Sequence, residues 1–238
     1  MRRVVRGAWG PREESTEALA ARWKQMLDQL AVLLPAAGSG SSDVWTWQHI
    51  HASGPATELR SDEKSLLAAL RAEQEDDAWS DRTGYGLGLV ITGEPGWKID
   101  ISSRAGGTSQ SLLQAMIIGV SSPDDAEIPD VELLTALAEA WRPDFGSVID
   151  DDVLDALEDD AGFTVGEPSV GWIGYLSPGR AAQVPADLTA ARTELRGGGV
   201  LLEIAERGDT ETVVQAYLRL REAGALQPLP HPMDRAAL

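Results

Sequence analysis

Residues 85–120 read YGLGLVITGEPGWKIDISSRAGGTSQSLLQAMIIGV. Tyr85, Leu87, Leu89 and Ile91 alternate along one face, and Gly93-Glu94-Pro95-Gly96 makes a turn. Trp97, Ile99 and Ile101 then alternate against Lys98, Asp100 and Ser102. Past Gly106-Gly107 a third apolar run extends from Leu112 to Val120. Period-two alternation broken by Gly/Pro turns predicts an antiparallel meander with one buried face. Gly84, Gly86 and Gly88 fall on the face opposite Tyr85, which implies a close approach by a neighbouring backbone.

On either side of the meander the pattern changes to helical spacing. Leu19, Trp23, Met26, Leu27, Leu30 and Leu34 form one stripe, with Glu13, Glu14 and Glu17 near its positive end and Pro35 as a stop. Ser61 is the expected cap of a second helix carrying Leu66, Leu67 and Leu70. Asp130 is the expected cap of a third, with Val131, Leu134, Leu137, Ala138 and Trp141 facing inward. Asp150-Asp151-Asp152 opens a short fourth helix, and Asp209 or Thr210 a last one with Gly224 near its end. Val4-Val5, Val44–His51, Val148-Ile149, Val170–Leu176 and Val200–Ile204 are candidate strands. These elements predict one α+β domain over residues 1–226, with an antiparallel-dominated mixed sheet and helices packed on it. Residues 227–238 are Pro-rich and are expected to form a flexible tail.

The chain has 238 residues, enough for a sizeable core. Its net charge of -18 repels nucleic acid and anionic lipid and favours basic partners. Without cysteine there is neither a disulfide nor a thiolate site. No apolar run approaches the roughly 20 residues of a membrane span, and no apolar segment follows the basic N-terminus, so the cytoplasm is the expected compartment.

Catalytic patterns are absent. No serine lies in a nucleophile elbow, and Gly84–Gly88 sits in a strand pattern rather than opening a helix, so it cradles no phosphate. His49 and His51 project on one side of a strand and with Asp43 could hold a metal, the basis of an alternative reading as a metal-dependent hydrolase. The bland reading makes them polar residues beside a loop. No catalytic residue, cofactor or metal is expected. The acidic pairs read as solvated loops and helix caps. Eight tryptophans against two phenylalanines are unusual. Trp23, Trp97, Trp141 and Trp172 fall on inner faces. Trp9, Trp45, Trp47 and Trp79 fall in loops or at element ends, where an exposed ring would favour a binding surface, although burial against the sheet edge is the favoured reading for each.

Val4-Val5-Arg6-Gly7-Ala8-Trp9-Gly10-Pro11-Arg12-Glu13-Glu14-Ser15-Thr16-Glu17-Ala18 resembles the start of the immunity protein 52 family, where a strand enters a Trp-Gly-Pro-Arg-x-Glu-Ser-type element and a long helix. Val170-Gly171-Trp172-Ile173-Gly174-Tyr175-Leu176-Ser177 is similar to that family's Gly-Trp-x-x-Tyr-Leu strand. The spacing on to Gly198-Gly199-Val200-Leu201-Leu202 is similar as well, so the resemblance spans nearly the whole chain. Ile91-Thr92-Gly93 departs from the family's Trp-Asn-Gly-like turn. The resemblance implies a bacterial polymorphic-toxin immunity protein, an antitoxin that neutralises a cognate toxin by protein–protein contact. The toxin would be a basic nuclease domain of restriction-endonuclease type, delivered by a type VI or related secretion system. An effector adaptor that does not inhibit is a further alternative. For the toxin contact, Asp124, Asp125, Glu127, Asp150, Asp151 and Asp152 are expected to supply steering and rim contacts, and Trp45 or Trp47 an aromatic anchor.

Overall fold

The structure is a computed structural model that describes residues 1–38, 45–75, 79–124 and 126–238. In chain order its elements are β1 (Arg2–Trp9), α1 (Thr16–Leu33), β2 (Thr46–Ile50), β3 (Thr57–Arg60), α2 (Glu63–Gln74), β4 (Gly88–Thr92), β5 (Lys98–Arg104), β6 (Gln114–Ser121), α3 (Asp130–Trp141), β7 (Phe145–Ile149), α4 (Asp151–Ala161), β8 (Ile173–Leu176), α5 (Pro178–Ala181), β9 (Ala191–Glu194), β10 (Val200–Glu203) and α6 (Thr210–Glu222). The ten strands form one sheet in the order β3-β2-β4-β5-β6-β1-β7-β8-β10-β9. Every pairing among them is antiparallel, so the expected α+β fold stands but the sheet is not mixed. The meander expected from residues 85–120 is β4-β5-β6, with Leu89, Ile91, Ile99, Ile101, Met116, Ile118 and Val120 on the buried face.

The first strand is the middle of the sheet. β1 pairs with β6 along all eight of its residues, and with β7 from Val4 to Ala8. Arg3, Val5, Gly7 and Trp9 face α3, while Val4, Arg6 and Ala8 face the other way. α1, α2 and α3 cover one side of the sheet, packing on one another. α4 and α6 pair on the opposite side, over the β7-β8-β10 half only. There Arg6 lies over the Phe163 ring, which meets Tyr217 of α6 edge-on. Both faces of β7 and β8 are therefore buried. The β2–β6 half keeps one open face, which explains its clean alternation.

The motif after β1 is architectural. Trp9 is fully buried and stacks on Trp141 at 5.7 Å, a contact worth about 0.5–1.5 kcal/mol beyond its burial. Arg12 lies over the Trp9 ring and donates to the Trp141 and Arg142 carbonyls, at 2.7 and 3.3 Å. Arg22 donates to the Ala140 carbonyl at 2.5 Å, and Glu14 pairs with both arginines. Two cations thus satisfy the last carbonyls of α3 and oppose its negative end.

Local signals are shifted by a residue or replaced at several ends. Asp62, not Ser61, caps α2, and Ser61 instead donates to the Trp45 carbonyl. α3 has no side-chain cap, because the cap position is Pro129; the expected cap Asp130 is the first helical residue, and its carboxylate accepts from Trp172. Ser15 caps α1, Asp150 caps α4 and Asp209 caps α6. Of the three glycines before β4, Gly84 lies tight against the Ala105 and Gly107 backbone, whereas Gly86 has room around it.

The C-terminal segment corrects the expectation of a flexible tail. Leu229 and Met233 are buried, and the Gly10 amide donates to the Ala236 carbonyl while that of Met233 donates to Gln110. A Cβ on Gly10 would sit 2.1 Å from the Arg235 oxygen, so only glycine admits the segment. At its end Leu238 donates to Asp144 Oδ1, and its carbonyl accepts from Gly179 and Ser177. Asp144 also holds Arg180 at 2.6 Å, with both side chains fully buried. Arg180 in turn donates to the Ala225 carbonyl. The prolines restrain the backbone and the hydrogen bonds place it.

Removing one member of a buried ion pair strands the other charge. Asp144→Ala is expected to cost about 3–5 kcal/mol in urea unfolding. It should also make residues 229–238 sensitive to limited proteolysis. A loss below about 1 kcal/mol with an unchanged digest would contradict the clamp.

Candidate functional site

The acidic segments singled out from sequence meet at the sheet end where β1 begins and β6 and β7 finish. Arg2 is opposite Ser121 and Val4 opposite Ile149, so the loops leading into α3 and α4 leave the sheet side by side. The Met1 amino group donates to the Ser122 carbonyl at 2.7 Å and to Asp124 Oδ1 at 3.1 Å. Asp150 Oδ1 accepts from the Val153 amide at 3.2 Å, and Asp150 Oδ2 pairs with Arg207 at 3.0 Å. Arg207 also touches the Met1 sulfur and lies over the Trp172 ring.

Behind this rim sits a desolvated pair. Arg3 approaches Asp130 Oδ1 at 3.4 Å, but the geometry is not that of a hydrogen bond. Trp172 Nε1 donates to Asp130 Oδ2 at 3.0 Å. Burial pushes the Asp130 carboxyl above its ordinary value, against the pull of Arg3 and the Trp172 bond. Burial likewise lowers Arg3, with Asp130 opposing. The pair fixes the start of α3 against β1 and the residue before β8.

Asp124, Glu127, Asp151 and Asp152 are exposed at this rim, while Asp150 is half-buried and serves as a helix cap. Asp125 lies outside the described residues. The acidity does not stop at Asp152. Asp155, Glu158, Asp159 and Asp160 continue it along α4, all exposed. Val153, Leu157 and Ala161 form the buried stripe opposite, against α6. None of the six exposed α4 carboxylates is in an ion pair among the described residues. Glu158, Asp159 and Asp160 crowd the negative end of the helix, where carboxylates are unfavourable. That end is held from outside: Arg221 of α6 donates to the Ala161 carbonyl at 2.7 Å. The missed carboxylates had a sequence signal, since 151, 155, 158 and 159 follow helical spacing.

The expected aromatic anchors are corrected. Trp47 is fully buried and Trp45 is 7% exposed, with their rings 5.8 Å apart on the helix-covered side of β2. Trp47 belongs to the inward set of an alternating strand, so no partner reaches it without opening the core. The other tryptophans are buried or half-buried too. The exposed apolar group nearest in sequence to the acidic helix is Val165, 72% exposed in the turn after α4. Gly162 and Gly166, both at positive φ, shape that turn.

The histidines of the alternative reading stand at the far edge of the sheet. His49 is buried and His51 exposed, with ring centroids 4.1 Å apart, and His51 Nε2 is 2.8 Å from Thr57 Oγ1. Asp43 lies outside the described residues. Among the described residues no three His, Asp or Glu side chains cluster in a way that could hold a metal ion.

A scan against protein-family models gives no match to this chain, and a search of the curated proteins gives none either. Among the described residues, no helix is long and apolar enough to cross a membrane.

Burial lowers the His49 pKa from its ordinary value of 6.5, and His51 lowers it further. The unfolded chain therefore binds this proton more readily than the native one. Stability from a neutral His49 is present above pH 6.5 and is lost as pH falls through the lowered native value. The drop in thermal midpoint from about pH 7.5 to about pH 5.5 is expected to shrink in His49→Gln. An equal drop in both proteins would show that His49 does not carry this dependence.

Proposed function

We propose that this chain is an immunity protein that binds and neutralises a basic nuclease toxin domain, of the kind delivered by type VI or related secretion, in the cytoplasm of the cell it protects. The observation that carries the reading is the exposed face of α4, where six carboxylates have no ion-pair partner among the described residues and three of them oppose the helix dipole. A helix face that costs its own fold this much repulsion gains from a positively charged partner. The rim at Asp124 and Glu127 extends the same field. The resemblance of Trp9–Ala18 and Val170–Ser177 to immunity protein 52 supports the same class. Both motifs build the fold rather than the contact: Trp9, Arg12 and Glu14 fix α3, and Trp172 fixes Asp130.

A nuclease grips phosphate with lysine and arginine, and a row of carboxylates at helical spacing presents comparable negative charge to those side chains. Long-range attraction speeds the encounter, and apolar contact slows release. Nanomolar binding corresponds to about -12 kcal/mol, more than exposed ion pairs supply. Val165 beside α4, and Leu218 on α6, are the exposed apolar groups available to the centre of such an interface.

The reading predicts stoichiometric inhibition of the toxin domain encoded beside the gene, with no effect on an unrelated nuclease. Asp155→Asn, Glu158→Gln and Asp159→Asn combined are expected to slow association about tenfold at low salt and to flatten its salt dependence. Val165→Ser should chiefly speed dissociation. Unchanged association rate and salt slope in the triple variant would contradict the assignment of α4.

A further inference from the structure

A cleft of about 360 Å³ opens on the α3 side of the sheet, between the C-terminal end of α3 and the turn joining β9 to β10. Arg142 comes from the first wall and Arg196 from the second, with the Tyr175 side chain of β8 between them. In a chain with 38 acidic residues against 20 basic, neither guanidinium is paired with a carboxylate among the described residues. Arg6, Arg192 and Arg221 also lack an acidic partner among the described residues but donate to hydroxyls or carbonyls, and Arg82 and Arg104 stand exposed, so what marks Arg142 and Arg196 is that two such side chains line one cleft.

The backbone at Arg142 is a second, independent observation. It ends α3 in the left-handed region, at φ 46 and ψ 61, and is the one described non-glycine residue at positive φ. Glycine occupies such a helix end at lower cost, and the following Pro143 restricts the residue further. Strain kept at a cleft wall is a mark of function rather than of stability. The carbonyls of this turn are already taken by Arg12 and Arg22, so the Arg142 side chain is not needed to cap the helix.

The third observation is Tyr175. Its ring is buried, and its hydroxyl is not among the buried polar atoms left without a partner, so it meets the solvent of the cleft that the side chain lines. A Cβ on Gly199 would sit 2.4 Å from that hydroxyl, so glycine there lets the hairpin close over the ring. Burial and the nearby Asp144 raise the phenol above its ordinary pKa, so it stays a donor at neutral pH.

We infer that this cleft binds a small organic carboxylate, held by the Arg142 and Arg196 guanidiniums with the Tyr175 hydroxyl as a further donor. Glu139 lines the same cleft and leaves its side chains one net positive charge. That balance suits one carboxylate group, with one charge, better than a phosphate group that concentrates two; a dicarboxylate such as succinate would seat one carboxylate here and leave the other in solvent. The cleft lies on the helix-covered side, away from α4, and does not depend on the toxin reading.

The test uses the full chain labelled with ¹⁵N, titrated with sodium succinate and separately with sodium phosphate at fixed ionic strength in chloride. Saturable amide shifts are expected at residues 139–142 and 195–199, with succinate bound more tightly than phosphate. Arg142→Gly relieves the backbone and removes the guanidinium together. It should raise the thermal midpoint while weakening succinate at least ~10-fold, and Arg196→Gln should weaken it similarly without the gain in stability. No saturable shift with succinate, or undiminished affinity in Arg142→Gly, would overturn the site. Tighter binding of phosphate would overturn the carboxylate assignment.

Discussion

The hydrogen bonding of β1 along both edges is the constraint on which the rest of the structure depends. Without it the sheet separates into β3-β2-β4-β5-β6 and β7-β8-β10-β9, since no other strand among the described residues bridges the two. Each of those halves would expose a long edge of unpaired amides and carbonyls. β1 also sets the position of α3, through Gly7 against Leu137 and Trp9 against Trp141. The C-terminal segment closes the same junction, lying on Gly10 and ending in the buried Asp144–Arg180 pair. The first and last residues of the chain thus lock its middle, and pairings this distant in sequence form late and slowly.

This arrangement separates two kinds of surface. The half-sheet β2–β6 leaves one face bare, and Arg2, Arg60, Lys98 and Arg104 project there with Glu58 and Asp100. The other half is covered on that side by α4 and α6, and α4 turns its carboxylates to solvent. A net charge of -18 is therefore not spread evenly. The strongest acidic strip is a rigid helix anchored by Val153 and Leu157, with its end held by Arg221. A rigid charged face loses little entropy on docking, which favours fast and selective association.

Much of the fold was legible because its signals are local. Alternation marked β4, β5 and β6, and helical spacing marked α1, α3 and α6. What failed depended on distant partners. β3 and β9 are four-residue edge strands, β9 with every side chain exposed and β3 with only Leu59 buried, and they exist because β2 and β10 offer them pairing. The tail reads as mobile in isolation, and its contacts with Gly10, Gln110, Asp144, Ser177 and Gly179, with the burial of Leu229 and Met233, order it. At the acidic rim, sequence supplied Asp150–Asp152 but not their meeting with Asp124, which β1 pairing creates. The burial of Trp45 and Trp47 agrees with the favoured reading of those rings and leaves neither free to anchor a partner.

The toxin contact we propose lies on α4 and the turn that follows it. Hydrogen–deuterium exchange of this chain with and without the cognate toxin domain tests that placement most directly. Protection gained over residues 151–166, with the bare face of β4–β6 unchanged, is the expected result. Protection confined to β4–β6, with 151–166 exchanging as in the free protein while the toxin is inhibited, would contradict it.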